Sequence, residues 1–338
     1  MVSTTSQTAC PASAVDAQAE GWSLSYPDGT RIVDREERQR ITALVIPPAW
    51  TDVWICTNPK GHIQVTARDA KGRKQYRYHP EYRLARDQSK FRRIFEFGEA
   101  LPAIRESAER DLSAPELSRR QVLAAAVQLL DKTLIRVGSD EYANDNGSYG
   151  LTTLQNRHAT IHGSEVHFTF RGKSGVQHAL SVSDSQIARI VQRCRDIPGQ
   201  DLFQYLNESG KQETIGSGDV NGYLQDVSGR HITAKDFRTW GGTTLAGNRL
   251  REIGPASSPS EVARNINAVV DAVAERLGNT RAVCRRYYIR PALLEAYQNG
   301  LTSGPPEEPQ SDTDGRRKRG AALRRDEVAI LQFLSSLV

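Results

Sequence analysis

The hydrophobic period of this chain changes between Tyr78 and Ser89, and no single layer of helix or sheet satisfies both halves. Before the change, "DVWICT", "HIQVTAR" and "KQYRYH" alternate residue by residue. Turn sequences at Asn58-Pro59-Lys60-Gly61 and Asp69-Ala70-Lys71-Gly72 separate them, so they read as short strands. Upstream, "WSLSYPDGTRIV" holds two alternating runs about Pro27-Asp28-Gly29. "DREERQRITALV" has helical spacing that Pro47-Pro48 ends. After the change, apolar residues recur every three or four positions through "KFRRIFEFGEALPAIRESAERDL" and "SRRQVLAAAVQLLDKTLIRVGSDEYA". Ala124, Ala125, Val127, Leu129, Leu130 and Leu134 form a stripe for burial in a helix running from 121 to 136. Within the helical part, "EVHFTFR" and "VQHALSVS" alternate about Gly172-Lys173-Ser174-Gly175, a hairpin with Lys173 at its tip. Helical spacing resumes through "DSQIARIVQRCRDI" and "SPSEVARNINAVVDAVAERLG".

These patterns predict an α+β protein, a small β-rich N-terminal domain followed by a mostly helical domain with a β-hairpin. The expected divisions are a disordered tail over 1–20, a β-rich domain over 21–90, a helical domain over 91–303, and a tail over 304–338. That tail joins a linker, "SGPPEEPQSDTDGRRKRG", to a short apolar-faced helix, "DEVAILQFLSSLV".

A hydrophobic fraction of 38% over 338 residues is enough for real cores, and the net charge is only +5. Its distribution says more. From Arg68 to Arg93 a dense run of arginine and lysine is opposed only by Asp69, Glu81 and Asp87, and Tyr76, Tyr78, Tyr82 and Phe91 interleave with it. Such a stretch suits a polyanion, nucleic acid first among them. The cysteines Cys10, Cys56, Cys194 and Cys284 make no CxxC pair, which fits a reducing cytosol. No signal-peptide core or bilayer-length apolar run is present. The expectation is therefore a cytoplasmic protein that is not membrane-bound.

Metal and nucleotide sites find little support. His162, His167 and His178 lie near each other in sequence, but the first two differ in parity and no carboxylate cluster completes a set. "GKS" at Gly172 to Ser174 lacks the earlier glycine and the following helix of a phosphate-binding loop. What remains is a set of cations at special places: Arg136 where a buried helix meets a loop, Lys173 on a hairpin tip, and Arg238 among aromatics in "KDFRTWGGT". Taken singly, each is an ordinary structural residue. Together with a tyrosine they suit metal-free phosphodiester transfer. Arginine forks match the charge that builds on non-bridging oxygens. A lysine with a lowered pKa can protonate the leaving oxygen. A phenolate stabilised by the same cations can attack phosphorus. "LGNTRAVCRRYYIRP" offers two such tyrosines, Tyr287 and Tyr288.

The chain resembles the type IB DNA topoisomerases, in the small form of bacteria and poxviruses. "LVIPPAWTDVWI" and "GRKQYRYHPEYR" are similar to that family's N-terminal domain. "LIRVGSDEYA", "YGLTTLQNRH", "FRGKSG", "KDFRTWGGT" and "LGNTRAVCRRYYIRP" resemble its catalytic domain, in the family's order. The resemblance implies that Arg136 and Arg238 clamp the scissile phosphate and that Lys173 is the general acid. It also implies that Tyr288 is the nucleophile, nine residues after Asn279. Asn279 stands where poxvirus members have histidine; it can donate a hydrogen bond to phosphate but cannot carry charge. Tyr287 is expected to pack inward beside Val283. Gln75, Tyr76, Tyr78 and Tyr142 would contact DNA. Ser139 replaces the lysine that reads a base in poxvirus members, so their sequence preference is not expected here.

The implied activity is relaxation of supercoiled duplex DNA without ATP or another cofactor, through a 3′-phosphotyrosyl intermediate. The implied protein is a monomeric clamp around DNA, nucleoid-associated, whose affinity falls with salt. Two alternatives remain. A tyrosine recombinase would carry His-x-x-Arg where this chain has Lys235-Asp236-Phe237-Arg238. A non-catalytic DNA-binding protein would leave the ordered set of Arg136, Lys173, Arg238 and Tyr288 without a purpose.

Overall fold

In residues 1–90 the alternation becomes a five-stranded antiparallel sheet. The computed structural model describes residues 12–18, 21–24, 29–304 and 322–337, without the side chains of 12–24, 84–92 and Tyr142. Two units divide the chain, residues 1–90 and 91–338. In the first, strands β1 (Ala12–Gln18), β2 (Gly21–Leu24), β3 (Thr51–Cys56), β4 (Ile63–Arg68) and β5 (Lys74–Tyr78) run in the order β2-β1-β3-β4-β5. Strand β1 lies where a disordered tail was expected. Its Ala12, Ser13 and Ala14 pair with Cys56, Ile55 and Trp54 of β3, so backbone pairing orders a segment of small residues with little side-chain signal of its own.

One sheet face supplies Val53, Ile55, Val65 and Ala67 to a core closed by Ile32 and Ile41, the latter on helix α1 (Arg35–Ala43). Asp34 caps α1 by accepting from the Glu36 N–H, and acidic residues fill the first turn. Arg40 ties the helix to the sheet: its guanidinium donates to Glu37, to the Gln64 side chain at 2.8 Å and to the Cys56 carbonyl at 2.8 Å.

The second unit is built about helix α3 (Arg119–Thr133), which has buried residues on every side from Gln121 to Thr133. Around it lie helix α2 (Pro80–Leu112), whose residues from 91 on belong to this unit, and helices α5 (Ser185–Asp196), α6 (Ser217–Ser228) and α7 (Ala234–Ile253). Beyond α7 come α8 (Pro259–Leu277), α9 (Arg281–Tyr287) and α10 (Pro291–Gln298), with α4 (Asp140–Asn146) earlier in the chain. The expected hairpin is present as β7 (Glu165–Arg171) and β8 (Gln177–Ser183), and β6 (Ala159–His162) extends it to three strands. A second small ribbon pairs β9 (Gln204–Leu206) with β10 (Gln212–Thr214). Strands of three or four residues are too short to show a period, so β6, β9 and β10 are not legible in the sequence. His162 and His167, read as out of phase along one run, sit on neighbouring strands with ring centroids 5.6 Å apart.

Helix α3 ends before the expected residue 136. Leu134 adopts a left-handed conformation (φ 58°) and donates its N–H to the Leu130 carbonyl at 2.9 Å, so the chain leaves the helix at Thr133. A leucine there is uncommon, because only glycine enters that region without a steric cost. Arg136 therefore belongs to the loop that follows α3. Helix α11 (Arg325–Ser336) docks on this unit, burying Ile330 and Leu334.

Candidate active site

Five segments distant in sequence converge at the end of α3. The first carries Arg136. Its carbonyl accepts from the Leu151 N–H at 2.8 Å, and the Val137 carbonyl accepts from the Thr152 N–H at 2.7 Å and hydroxyl at 3.0 Å. This pairing needs close backbone approach: a Cβ on Gly150 would lie 2.6 Å from Gly138, whose φ is 111°. The 150–152 stretch thus clips the Arg136 segment in place.

The second segment is helix α7, which presents Arg238. Asp236 fixes the helix start by accepting from the Thr233 N–H and hydroxyl at 2.8 Å, and from Arg93 at 2.7 Å. Arg238 is 3% exposed. It donates to the Leu134 carbonyl and, at 2.7 Å, to the Leu277 carbonyl, while its Nε is buried without a partner. Two carbonyls from different segments thus hold the guanidinium plane and leave the buried Nε–H unused. One turn on, Gly241 makes room for Leu134, since a Cβ would lie 2.5 Å from that side chain. Gly242 makes room for the Tyr288 carbonyl, which a Cβ would approach to 2.8 Å. The consecutive glycines let the Arg136 and Tyr288 segments reach α7. Sequence reasoning passed over them, although paired glycines inside a helical stretch mark close approach.

The third segment carries Tyr288, the C-cap of α9, which donates its N–H to the Cys284 carbonyl at 2.9 Å. Thr243 of α7 donates its hydroxyl to the Tyr288 carbonyl at 3.1 Å. The Arg238 guanidinium lies 5.0 Å from the centroid of the Tyr288 ring. Burial pushes the phenol pKa up, but the charge and hydrogen bond of Arg238, with Arg136 and Lys235 behind it, bring it below the ordinary tyrosine value. Tyr287 does not pack inward as expected. It is exposed and lies against Arg286, 5.3 Å from ring centroid to guanidinium. Cys284 and Ile289 take the buried positions: the inward face of α9 runs through Cys284, so Tyr287, one turn after the half-buried Val283, falls outside it.

The fourth segment is the turn after α8, where Gly278 is left-handed (φ 57°) and Asn279 donates its N–H to the Ala274 carbonyl at 3.0 Å. The Asn279 side-chain oxygen accepts from Arg136, and its Nδ2 is buried with no partner. The asparagine thus orients one cation and keeps an unused donor. The fifth is the β7–β8 turn, which places an exposed Lys173 beside the same cleft; Ser174 (φ 63°) and Gly175 (φ 78°) shape it. Arg136, Lys173, Arg238 and Tyr288 line one cleft of about 260 Å³, with Tyr149 and Lys235 as further neighbours. Burial first, then Arg238, lowers the Arg136 pKa, as expected where two cations share a partly buried site.

The expected DNA contacts divide. On β5, Tyr76 and Tyr78 share one face, their rings 6.2 Å apart, with the Lys74 ammonium 5.7 Å from the Tyr76 centroid. Gln75 points to the opposite face by strand alternation, where its amide donates to Asp69 at 2.9 Å. The side chain of Tyr142 lies outside the described residues.

The family description "Eukaryotic DNA topoisomerase I, catalytic core" matches residues 73–302, and "Bacterial DNA topoisomerase IB, N-terminal domain" matches residues 21–69. DNA topoisomerase 1B of Acanthamoeba polyphaga mimivirus is 31% identical over 281 residues, 81% of this chain and 84% of its own length. DNA topoisomerase 1B of vaccinia virus is 27% identical over 237 residues, 67% of this chain and 70% of its own. Among solved structures, the XerH site-specific recombinase bound to its difH substrate aligns with a TM-score of 0.36 and 17% identity, covering 59% of this chain and 52% of its own. That likeness is too slight to bear on the fold.

Proposed function

The chain belongs to the type IB DNA topoisomerase family, and on that premise we propose that it relaxes supercoiled duplex DNA without ATP through a 3′-phosphotyrosyl intermediate at Tyr288. The observation that carries the residue assignment is the meeting of Arg136, Lys173, Arg238 and Tyr288 in one cleft from separate elements.

The chemistry follows from the geometry. Tyr288 enters the cleft with a phenol that surrounding cations hold below the ordinary pKa. The phenol gives its proton to solvent, the phenolate oxygen attacks the phosphorus, the new P–O bond forms, and the bond to the 5′ oxygen breaks. The leaving oxygen takes the electron pair and accepts a proton from Lys173 Nζ. Charge on the non-bridging oxygens meets the Arg136 and Arg238 guanidiniums and the free Asn279 amide donor. The unused Arg238 Nε and Asn279 Nδ2 are donors whose desolvation is compensated when phosphate binds. Downstream duplex then swivels, and the 5′ hydroxyl attacks the phosphotyrosine to reseal the strand.

In this reading residues 21–90 form the N-terminal DNA-binding domain and residues 91–303 the catalytic domain, and the protein acts as a monomeric clamp closed on the duplex. Tyr76, Tyr78 and Lys74 would grip DNA from β5, while Gln75 needs release from Asp69 to reach it. The proposed location is the cytoplasm, at the nucleoid, where supercoiled DNA is the substrate. Among the described residues no helix is long and apolar enough to cross a membrane. The recombinase alternative is disfavoured by Lys235 where its histidine would stand, and the non-catalytic alternative by the convergence of four reactive side chains.

Lys173 gives the test. On a duplex with an ordinary phosphodiester, Lys173→Ala should slow single-turnover cleavage by about 10² to 10⁴-fold. With sulfur in place of the 5′ bridging oxygen, the leaving thiolate needs no acid and cleavage should approach the wild-type rate. Equal slowing on both duplexes would remove Lys173 from the acid role.

A further inference from the structure

Between the Lys173 turn and the Asn279 turn sits the ring of His178, with the Val176 side chain beside it. His178, near the start of β8, is half-buried and lies against Phe170 of β7, with ring centroids 5.0 Å apart and planes inclined by 19°. On one side it touches Gly172, the residue before Lys173: a Cβ there would lie 2.7 Å from the imidazole. On the other it touches Gly278, the residue before Asn279, where a Cβ would lie 2.7 Å from the same ring. Both positions need glycine for the same reason, that the imidazole fills the space between two backbones. Gly172 also closes the hairpin by donating its N–H to the Val176 carbonyl at 2.7 Å, so a shift of Gly172 moves the whole lysine turn.

We propose that His178 is a positioning residue, which braces the Lys173 turn against the Asn279 turn and so holds the general acid in register with the bound phosphate. The proposal rests on the reading of Lys173 as the acid. The register of a lysine at a hairpin tip depends on the turn that carries it. The turn in turn leans on a ring clamped between Phe170, Gly172 and Gly278. Asn279 is bonded to Arg136, so the same brace indirectly links acid and phosphate clamp. Burial, and then the charges of Arg136 and Arg238, keep the His178 pKa below the ordinary histidine value, so at neutral pH the brace is an uncharged ring.

The test measures single-turnover cleavage on two duplexes of the same mapped cleavage sequence, one with the ordinary 5′ bridging oxygen and one with sulfur there. His178→Ala should slow cleavage of the oxygen duplex by up to about 10²-fold, the loss expected when a catalytic group is displaced by about an ångström. On the sulfur duplex it should come back to within about threefold of wild type, because that leaving group needs no acid. Gly172→Ala, which presses on the ring from the opposite side, should show the same split, so the result does not depend on one variant folding. His178→Phe, which restores a planar ring, should recover most of the loss. An equal loss on both duplexes, no loss at all, or no recovery by phenylalanine would overturn the proposal. Lys173→Ala run alongside separates the two claims. If it too fails to recover on sulfur, the acid assignment falls; if it recovers and His178→Ala does not, only the brace falls.

Discussion

Tyr288 and Tyr287 are neighbours of identical chemistry placed in different surroundings. Tyr288 is partly buried against Arg238 in the cleft, whereas Tyr287 is exposed beside Arg286. Its environment, rather than its residue type, makes Tyr288 the nucleophile candidate. The phenol pKa lies below the ordinary tyrosine value because cations outweigh burial. With the phenolate as the proposed reactive form, cleavage should rise with pH about a midpoint below that of a free tyrosine. Lys235 contributes to that lowering from an exposed position on the cleft wall. Lys235→Ala should therefore move the pH–rate midpoint upward and slow cleavage at neutral pH. A midpoint that stayed in place, read from single-turnover rates across pH, would show that Lys235 does not act through the phenol.

At the scale of elements, the site depends on how chain segments are allowed to approach one another. The hydrophobic stripe of α3 and the alternation of β7 and β8 were legible in the sequence, because long regular segments repeat a burial pattern. The left-handed Leu134 that frees Arg136 from α3 was not, since no glycine or proline marks it. Nor was the exposure of Tyr287, which depends on α9 turning Cys284 inward. The close approaches at Gly150, Gly241, Gly242 and Gly278 are tertiary facts, with only the glycines themselves as a trace in the sequence. Helix α11 is the clearest case of an element fixed by a polar contact. Its Glu327 is 2% exposed and accepts two hydrogen bonds from Arg105, at 2.8 and 2.9 Å, and one from Trp240 of α7 at 3.2 Å. Arg105 also pairs with Asp131 of α3 at 2.9 Å. Burial raises the Glu327 pKa, yet the Arg105 contacts outweigh it and hold the carboxyl below its usual value of 4.5. Since the folded pKa is depressed, the carboxylate stabilises the fold fully above the unfolded value and loses that effect as pH falls through the folded one. Glu327→Gln should cost roughly 3 kcal/mol at neutral pH by urea unfolding, the scale of breaking a buried ion pair. The gap to wild type should narrow in acid; a gap unchanged at low pH would mean that the charge is not what anchors α11.

For the whole molecule, the sequence order of the motifs revealed more than any local pattern. Five ordered stretches implied one chemistry, and the fold brings Arg136, Lys173, Arg238 and Tyr288 to a single cleft, with Asn279 bonded to Arg136. The first unit was legible as β-rich from its alternation. The opposed faces of Gln75 and Tyr76 follow from that alternation, although the resemblance grouped them as DNA contacts. The central claim is that one tyrosine of the two forms the covalent link to DNA. The direct measurement is denaturant trapping on supercoiled plasmid, with relaxation followed in parallel, for wild type, Tyr288→Phe and Tyr287→Phe. The account predicts trapped complex and relaxation for wild type and Tyr287→Phe, and neither for Tyr288→Phe, which still binds DNA noncovalently. Trapped complex from Tyr288→Phe, with none from Tyr287→Phe, would contradict it.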